Sequence, residues 1–201
     1  SGVAFGAIEL LREARPDETL ELAHRLDRDP RGVLVLARRR MALTALQELI
    51  RDGHITKQYL ALLHGHPKRA RFDVNVPLRK FDLQGGERMV RVSEDGKPAL
   101  TAFKVIGNYA DASLAEVTLY TGRTHQIRVH AQHAGHPLAG DEKYGLREFN
   151  KALRDFGLRR RFLHAARFEF ELNGKTHSFS APLAPDLANV LDRLPTGKTA
   201  R

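Results

Sequence analysis

The densest run of ionisable groups in the chain is His24-Arg25-Leu26-Asp27-Arg28-Asp29-Pro30-Arg31-Gly32. A carboxylate set among arginines stays ionised at neutral pH, which suits a nucleophile or an electrostatic stabiliser better than a general acid. The same residues also fit a surface turn in which Asp27 and Asp29 pair with neighbouring arginines, and Asp29-Pro30 is itself a turn signal. A second constellation, Thr121-Gly122-Arg123-Thr124-His125-Gln126-Ile127-Arg128-Val129-His130, follows a strand pattern and opens a helix pattern. Early backbone N–H groups there point toward any anion, and Arg123 and Arg128 could clamp a phosphate or a carboxylate. Tyr59, in Lys57-Gln58-Tyr59, offers either a ring for base stacking or an ordinary strand aromatic for a core. His125, His130, His133 and His136 invite a metal reading. That reading is weak, because no Asp or Glu lies among them and the His-Glu-x-x-His pattern is absent.

These side chains need elements to hold them. Ile8, Leu10 and Leu11 predict a helix that stops at Pro16, followed by a short extended segment over Leu20–His24. The branched run Val33-Leu34-Val35-Leu36-Ala37 predicts a strand buried on both faces, and Met41–Arg51 a helix capped by Gly53. Strands are expected over Tyr59–Leu63, Arg88–Val92, Ala102–Ile106, Leu114–Tyr120, Phe162–Leu172 and His177–Ala181. Helices are expected over Thr124–Ala134, Arg147–Phe156 and Pro185–Leu194. Consecutive strands with helices between the blocks predict an α+β fold with a mixed, mostly antiparallel β-sheet flanked by helices. No repeat or linker-like composition shift breaks the chain, so residues 1–201 are expected to form one domain.

Composition narrows the chemistry further. The 201 residues carry 33 Lys+Arg against 24 Asp+Glu, a net charge of +9, with 42% hydrophobic residues to build a core. Disorder is therefore a poor reading. The complete lack of cysteine removes disulfides, thiolate metal sites and cysteine nucleophiles. Apolar runs fall far short of the roughly 20 residues that span a bilayer, and the first residues lack a secretory signal pattern. The missing initiator Met leads us to expect a piece of a longer chain. Basic residues cluster at Arg38-Arg39-Arg40, Lys68-Arg69-Ala70-Arg71 and Arg159-Arg160-Arg161. Such clustering favours a polyanionic partner, since each cation placed on a phosphate releases counterions.

Together the motifs resemble the bacterial RNA pseudouridine synthases that modify ribosomal RNA. The resemblance is carried by His24-Arg25-Leu26-Asp27-Arg28-Asp29 with Gly32, Lys57-x-Tyr59, Gly122 to His130, Gly135-His136-Pro137-Leu138 and Leu163-His164-Ala165, in that order. It implies isomerisation of selected uridines of 23S rRNA to pseudouridine, free or in the assembling large subunit, in the cytoplasm and without metal or small-molecule cofactor. By position in the motifs, Asp27 is implied as the catalytic aspartate, by attack on the ribose or by removal of a sugar proton. Arg128 is implied to pair with that aspartate, Tyr59 to stack on the flipped base and Ile127 to line an apolar pocket. Arg25 is implied to fill the vacated RNA stack. Pro30-Arg31 departs from the family's usual Thr-Ser, and the S4-type RNA-binding domain expected upstream lies outside this chain.

Overall fold

The computed structural model describes residues 6–24, 31–82 and 88–197. In chain order the first elements are α1 (Ala7–Ala14), β1 (Glu21–Leu22), β2 (Arg31–Gly32), β3 (Leu36–Ala37), α2 (Arg40–Arg51), β4 (Ile55–His64), β5 (Arg71–Asn75), β6 (Leu78–Asp82) and β7 (Arg88–Val92). They continue as β8 (Leu100–Asn108), β9 (Ala112–Leu119), α3 (Gln126–His133), α4 (Arg147–Asp155), β10 (Leu163–Leu172), β11 (Lys175–Ser180) and α5 (Pro185–Arg193). Among the described residues no helix is long and apolar enough to cross a membrane.

The apolar centre of β4 organises the molecule. Ala61, Leu62 and Leu63 are fully buried, and because successive strand residues point to opposite faces, they feed two different cores. Ala61 and Leu63 join Phe103, Val117, Ile127 and Ala131 under α3, whereas Leu62 joins Leu153, Phe162, Leu187 and Val190 under α4 and α5. Both faces of the sheet are thus covered, which is why β4 carries a continuous apolar run and no alternation. The order β11-β10-β4-β9-β8-β5 is antiparallel at every step, and β2 adds to β10 as the parallel exception. The expected mixed, mostly antiparallel α+β architecture is the observed one. A separate two-stranded arm, β6–β7, packs through Leu78 and Val90 onto Val129 of α3 and Tyr144.

Three expectations are corrected. The run Val33–Ala37 is mostly irregular and half-buried, and only Leu36–Ala37 forms a strand, paired with β1. Its backbone is satisfied locally, with Val33 N–H on Ala165 O (2.9 Å) and Val35 N–H on the His24 Nε2 (3.1 Å), so the apolar side chains cover α2 and β10 without a sheet position. Strands β5 and β6 went unanticipated, although Phe72 and Val74 show the alternation of a half-buried strand beside the basic cluster. Helix α3 begins at Gln126 and not at Thr124, because His125 adopts the left-handed conformation (φ 54°).

The edge of β10 matters for the site. β11 covers its C-terminal half, β2 covers His164–Ala165, and a β-bulge between Ala165 and Arg167 separates the two registers. β2 approaches so closely that a Cβ on Gly32 would lie 2.0 Å from Ala165 O, and the φ of 120° is one that L side chains avoid. Gly32→Ala should therefore strip β2 from β10 at a cost of at least about 1–3 kcal/mol, read as a lower urea midpoint with an unchanged m-value.

Candidate functional site

Strand β4 and helix α3 meet at one end of the sheet around a cleft of about 380 Å³. Lys57 and Tyr59, two residues apart on β4, present the same face to it, and Ile127 and Arg128 reach it from the first turn of α3. His24 and Leu163 complete the wall nearest β2. Three of the five residues singled out in the sequence, Tyr59, Ile127 and Arg128, are thus brought together. The other two, Arg25 and Asp27, lie outside the described residues. The ends of their segment border the cleft wall. His24 stacks on Phe168 at 4.6 Å, and Arg31–Gly32 pair with His164–Ala165 beside Leu163.

The 121–125 loop is shaped by Gln126, which is 2% exposed. Its Oε1 accepts from Arg123 N–H (2.9 Å) and the Thr121 hydroxyl (2.8 Å), while its Nε2 donates to Leu100 O (3.0 Å) and Thr101 Oγ1 (2.9 Å). A buried amide that uses both ends this way fixes the loop against β8. His125, held at positive φ, meets the Tyr144 hydroxyl through Nδ1 at 2.9 Å. Such non-glycine strain gathers where the surrounding structure over-determines it, often at functional sites.

Arg128 carries the main charge of the cleft, yet it is 4% exposed. Its Nε and Nη2 donate to the two oxygens of Asp141 at 2.6 and 2.8 Å, and its guanidinium lies 4.6 Å over the Tyr144 ring. Nη1 has no hydrogen-bond partner among the described residues. Asp141 also accepts from the backbone N–H groups of Lys143 (3.0 Å) and Tyr144 (3.1 Å), and the Arg161 Nε lies 3.8 Å away. Burial alone would push the Asp141 carboxyl up. The Arg128 hydrogen bonds and charge, with help from Tyr144 N–H and Arg161, outweigh that and hold it below the usual carboxylate range. Lys57, beside Tyr59, has its ammonium pulled below the ordinary lysine range by burial.

Other groups prominent in the sequence serve the fold. His130 is fully buried between Thr101 Oγ1 (2.8 Å) and Val76 O (3.1 Å), and His136 Nδ1 meets His64 O at 2.9 Å. Among the described residues no three His, Asp or Glu converge as metal ligands do. The Arg159–Arg161 triplet, expected as an anion patch, is largely consumed internally. Arg160 forks onto Asp186 at 2.7 and 3.0 Å, Arg161 is buried beside Asp141, and Arg159 donates to Arg154 O. Asp141 and Tyr144 are cleft-supporting residues that the sequence did not reveal, and Gln126 stood within the quoted motif without a role. The Gly135–Leu138 motif ends three residues short of Asp141, and a lone acid in a turn gives no sign that it will be buried.

Replacing Asp141 by Asn leaves a buried guanidinium without its counter-charge and should cost about 3–5 kcal/mol. The double change Arg128→Met with Asp141→Leu should recover only part of that in urea unfolding, because Arg161 and the Lys143 and Tyr144 N–H groups still lose the carboxylate, and equal losses in both variants would contradict a buried Arg128–Asp141 pair. A second expectation concerns pH. Burial depresses His130, with the Val76 carbonyl opposing and His133 assisting, so the folded state takes up its proton at lower pH than the unfolded chain. Stability from this group is present above about pH 6.5 and is lost as pH falls through the depressed folded value. Chemical denaturation at pH 7.5 and 5 should show that loss, and His130→Gln should flatten it.

Comparison with known proteins places this geometry. A family model described as RNA pseudouridylate synthase matches residues 4–133. The ribosomal large subunit pseudouridine synthase C of Escherichia coli (strain K12) is 49% identical over 199 residues, covering 96% of this chain and 62% of that protein. Its namesake in Pasteurella multocida (strain Pm70) is 47% identical over 203 residues, covering 100% of this chain and 62% of the relative. The chain thus spans about three fifths of the length of the curated relatives it matches. Among solved structures, human RNA pseudouridylate synthase domain containing 1 superposes with a TM-score of 0.80 at 26% identity, covering 96% of this chain and 80% of that one. Human RNA pseudouridylate synthase domain containing 4 gives 0.75 at 25% identity, covering 92% and 80%. With the family model spanning more than half of its residues and its fold shared with these solved domains, this chain belongs to the RNA pseudouridylate synthase family.

Proposed function

We propose that this chain is the catalytic part of an rRNA pseudouridine synthase, an isomerase acting on selected uridines of 23S rRNA, free or in assembling large subunits, in the cytoplasm. The observation that carries the proposal is the convergence of Tyr59, Ile127 and Arg128 on one cleft whose wall ends at His24. Asp27 follows His24 by three residues, a span that reaches at most about 10 Å from that anchor. An S4-type domain elsewhere in the full protein would add RNA affinity.

In this reading the target uridine leaves its stack and enters the cleft, a step that costs a few kcal/mol. Tyr59 stacks on the uracil, Ile127 closes its apolar side, and Arg25 fills the gap left in the RNA. Asp27 either attacks C1′ or removes a sugar proton to give a glycal. Either route breaks the C1′–N1 bond and lets the detached uracil turn. The C1′–C5 bond then forms as the Asp27–C1′ ester bond breaks, or as the glycal regains its sugar proton, after which C5 loses its proton and N1 gains one. Reactant and product are isomers, so no redox partner or group donor is consumed. The ionised state of Asp27 is the shared requirement. A carboxylate arriving beside Arg128 meets a guanidinium already oriented by its fork onto Asp141, with the Arg161 Nε 3.8 Å from that same carboxylate.

The test is carbodiimide-adduct primer extension on unmodified 23S rRNA. Wild-type protein should create new stops, and Asp27→Ala should create none while still binding RNA. Arg128→Ala should lose at least about 10-fold in single-turnover rate, equivalent to one step of 1.4 kcal/mol in the barrier. Stops produced by Asp27→Ala would sink the assignment of the aspartate. RNA binding without stops from any variant would reduce the chain to a binding module.

A further inference from the structure

Beyond the cleft, across the loop Gly122-Arg123-Thr124, lies a second pocket of about 320 Å³ that shares those three residues as a common wall. Its far side is the β6–β7 arm and the segment that follows it, with Arg79, Lys80, Lys97 and the single carboxylate Asp95. Asp95 is engaged by Ser93 and Arg79, and those contacts hold it ionised. Lys80, Lys97 and Arg123 have no carboxylate partner among the described residues. The pocket therefore keeps an excess of three positive charges over an apolar floor made by Leu78 and Val90.

This cationic pocket is built to hold its shape. Leu78 and Lys97 exchange backbone hydrogen bonds of 2.9 and 2.8 Å, so the Lys97 segment forms a third rung on the arm. Gly96 sits against Leu78 so tightly that a Cβ there would lie 2.6 Å from the Leu78 carbonyl carbon. On the opposite wall the Arg123 Nε donates to Pro98 O at 3.0 Å, which ties the shared loop to the same segment. A concavity whose backbone walls are tied in this way carries its rim of cations to an anion without rearranging the fold.

We infer that this pocket seats the phosphodiester of a nucleotide adjacent to the target uridine in the same RNA strand. The inference rests on the RNA reading above. A strand that delivers one nucleotide into the cleft has to continue past the shared loop, and every further nucleotide brings one phosphate. The two lysines meet that phosphate as mobile point charges on the rim of the pocket.

Binding of an end-labelled oligouridylate, followed by fluorescence anisotropy over a series of KCl concentrations, tests this without requiring catalysis. For single strands the slope of log affinity against log salt changes by about 0.7 for each phosphate contact. Because both lysines meet one phosphate, Lys80→Gln and Lys97→Gln should each make the slope shallower by part of that amount and the double variant by the whole of it, so a fourfold rise in KCl weakens wild type about 2.6-fold more than the double variant. Lys104→Gln, on the exposed surface of β8 away from the pocket, should keep the wild-type slope. Parallel slopes for wild type and the double variant would overturn the inference, as would an equal change in Lys104→Gln. Shallower slopes in a protein that makes no pseudouridine would support the pocket and sink the catalytic proposal. Pseudouridine formation with unchanged slopes would do the reverse.

Discussion

An arginine and an aspartate, both withdrawn from water, set the terms for the rest of this molecule. Arg128 is 4% exposed and Asp141 is 1% exposed, so each pays a desolvation penalty of several kcal/mol that only close geometry can offset. The offset is visible in the bidentate fork, in two further backbone N–H groups on the carboxylate, and in the Tyr144 ring beneath the guanidinium. The turn after β-bridged Leu138 is shaped to deliver them. Asp141 N–H returns to Leu138 O, Gly145 N–H to Asp141 O, and the Asn150 amide spans Gly140 N–H and Asp141 O. Helix α4 is thereby fastened to the ion pair, and through Leu153 to the core beneath the sheet.

The sheet supplies the second constraint. β4 has to be buried on both faces to hold Tyr59 and Lys57 at one end while its apolar middle knits the α3 core to the α4–α5 core. On the edge of β10 opposite β4, β11 pairs only from Arg167 onward and β2 takes His164–Ala165, next to the bulge in the β10–β4 ladder. Gly32 makes that pairing sterically possible. The consequence is that His24 and Arg31, the described residues that flank 25–30, both sit beside the cleft, His24 on its wall and Arg31 paired with His164 next to Leu163.

Much of this was legible in the sequence because it is written in local pattern. The long strands and the helices α1, α2, α4 and α5 follow from periodicity and turn residues, whereas the grouping of Tyr59, Ile127 and Arg128 comes only from the family resemblance of the ordered motifs, since spacing alone leaves Tyr59 an ordinary strand aromatic. The misreadings share a cause in long-range packing. Val33–Ala37 has the composition of a buried strand, but its backbone partners come from Ala165 and His24, which no local pattern reveals. The Arg159–Arg161 triplet looks like an anion patch until Asp186 and Asp141 are brought beside it from 26 and 20 residues away in sequence. Asp141 itself was missed for the same reason. Its role exists only once α3 turns Arg128 toward it.

Tyr144 shows how these separate features become one device. Its ring lies on Arg128, its hydroxyl accepts from Val90 N–H of the β6–β7 arm at 2.9 Å, and the same oxygen meets His125 Nδ1. A phenol hydroxyl has one proton to give. With Val90 N–H donating to one lone pair, the oxygen meets His125 Nδ1 either by giving it that proton or by accepting an Nδ1–H on its second lone pair, so both imidazole tautomers satisfy the contact. The arm, the strained histidine and the cleft arginine are therefore referenced to a single side chain. A displacement of β7 that breaks the Val90 bond disturbs the Tyr144 ring and, with it, the surface on which Arg128 rests. Because interiors pack too densely for the ring to shift alone, the position of the arm and the orientation of the arginine are mechanically linked. A ligand bound along the arm would consequently bear on the same guanidinium that faces the cleft.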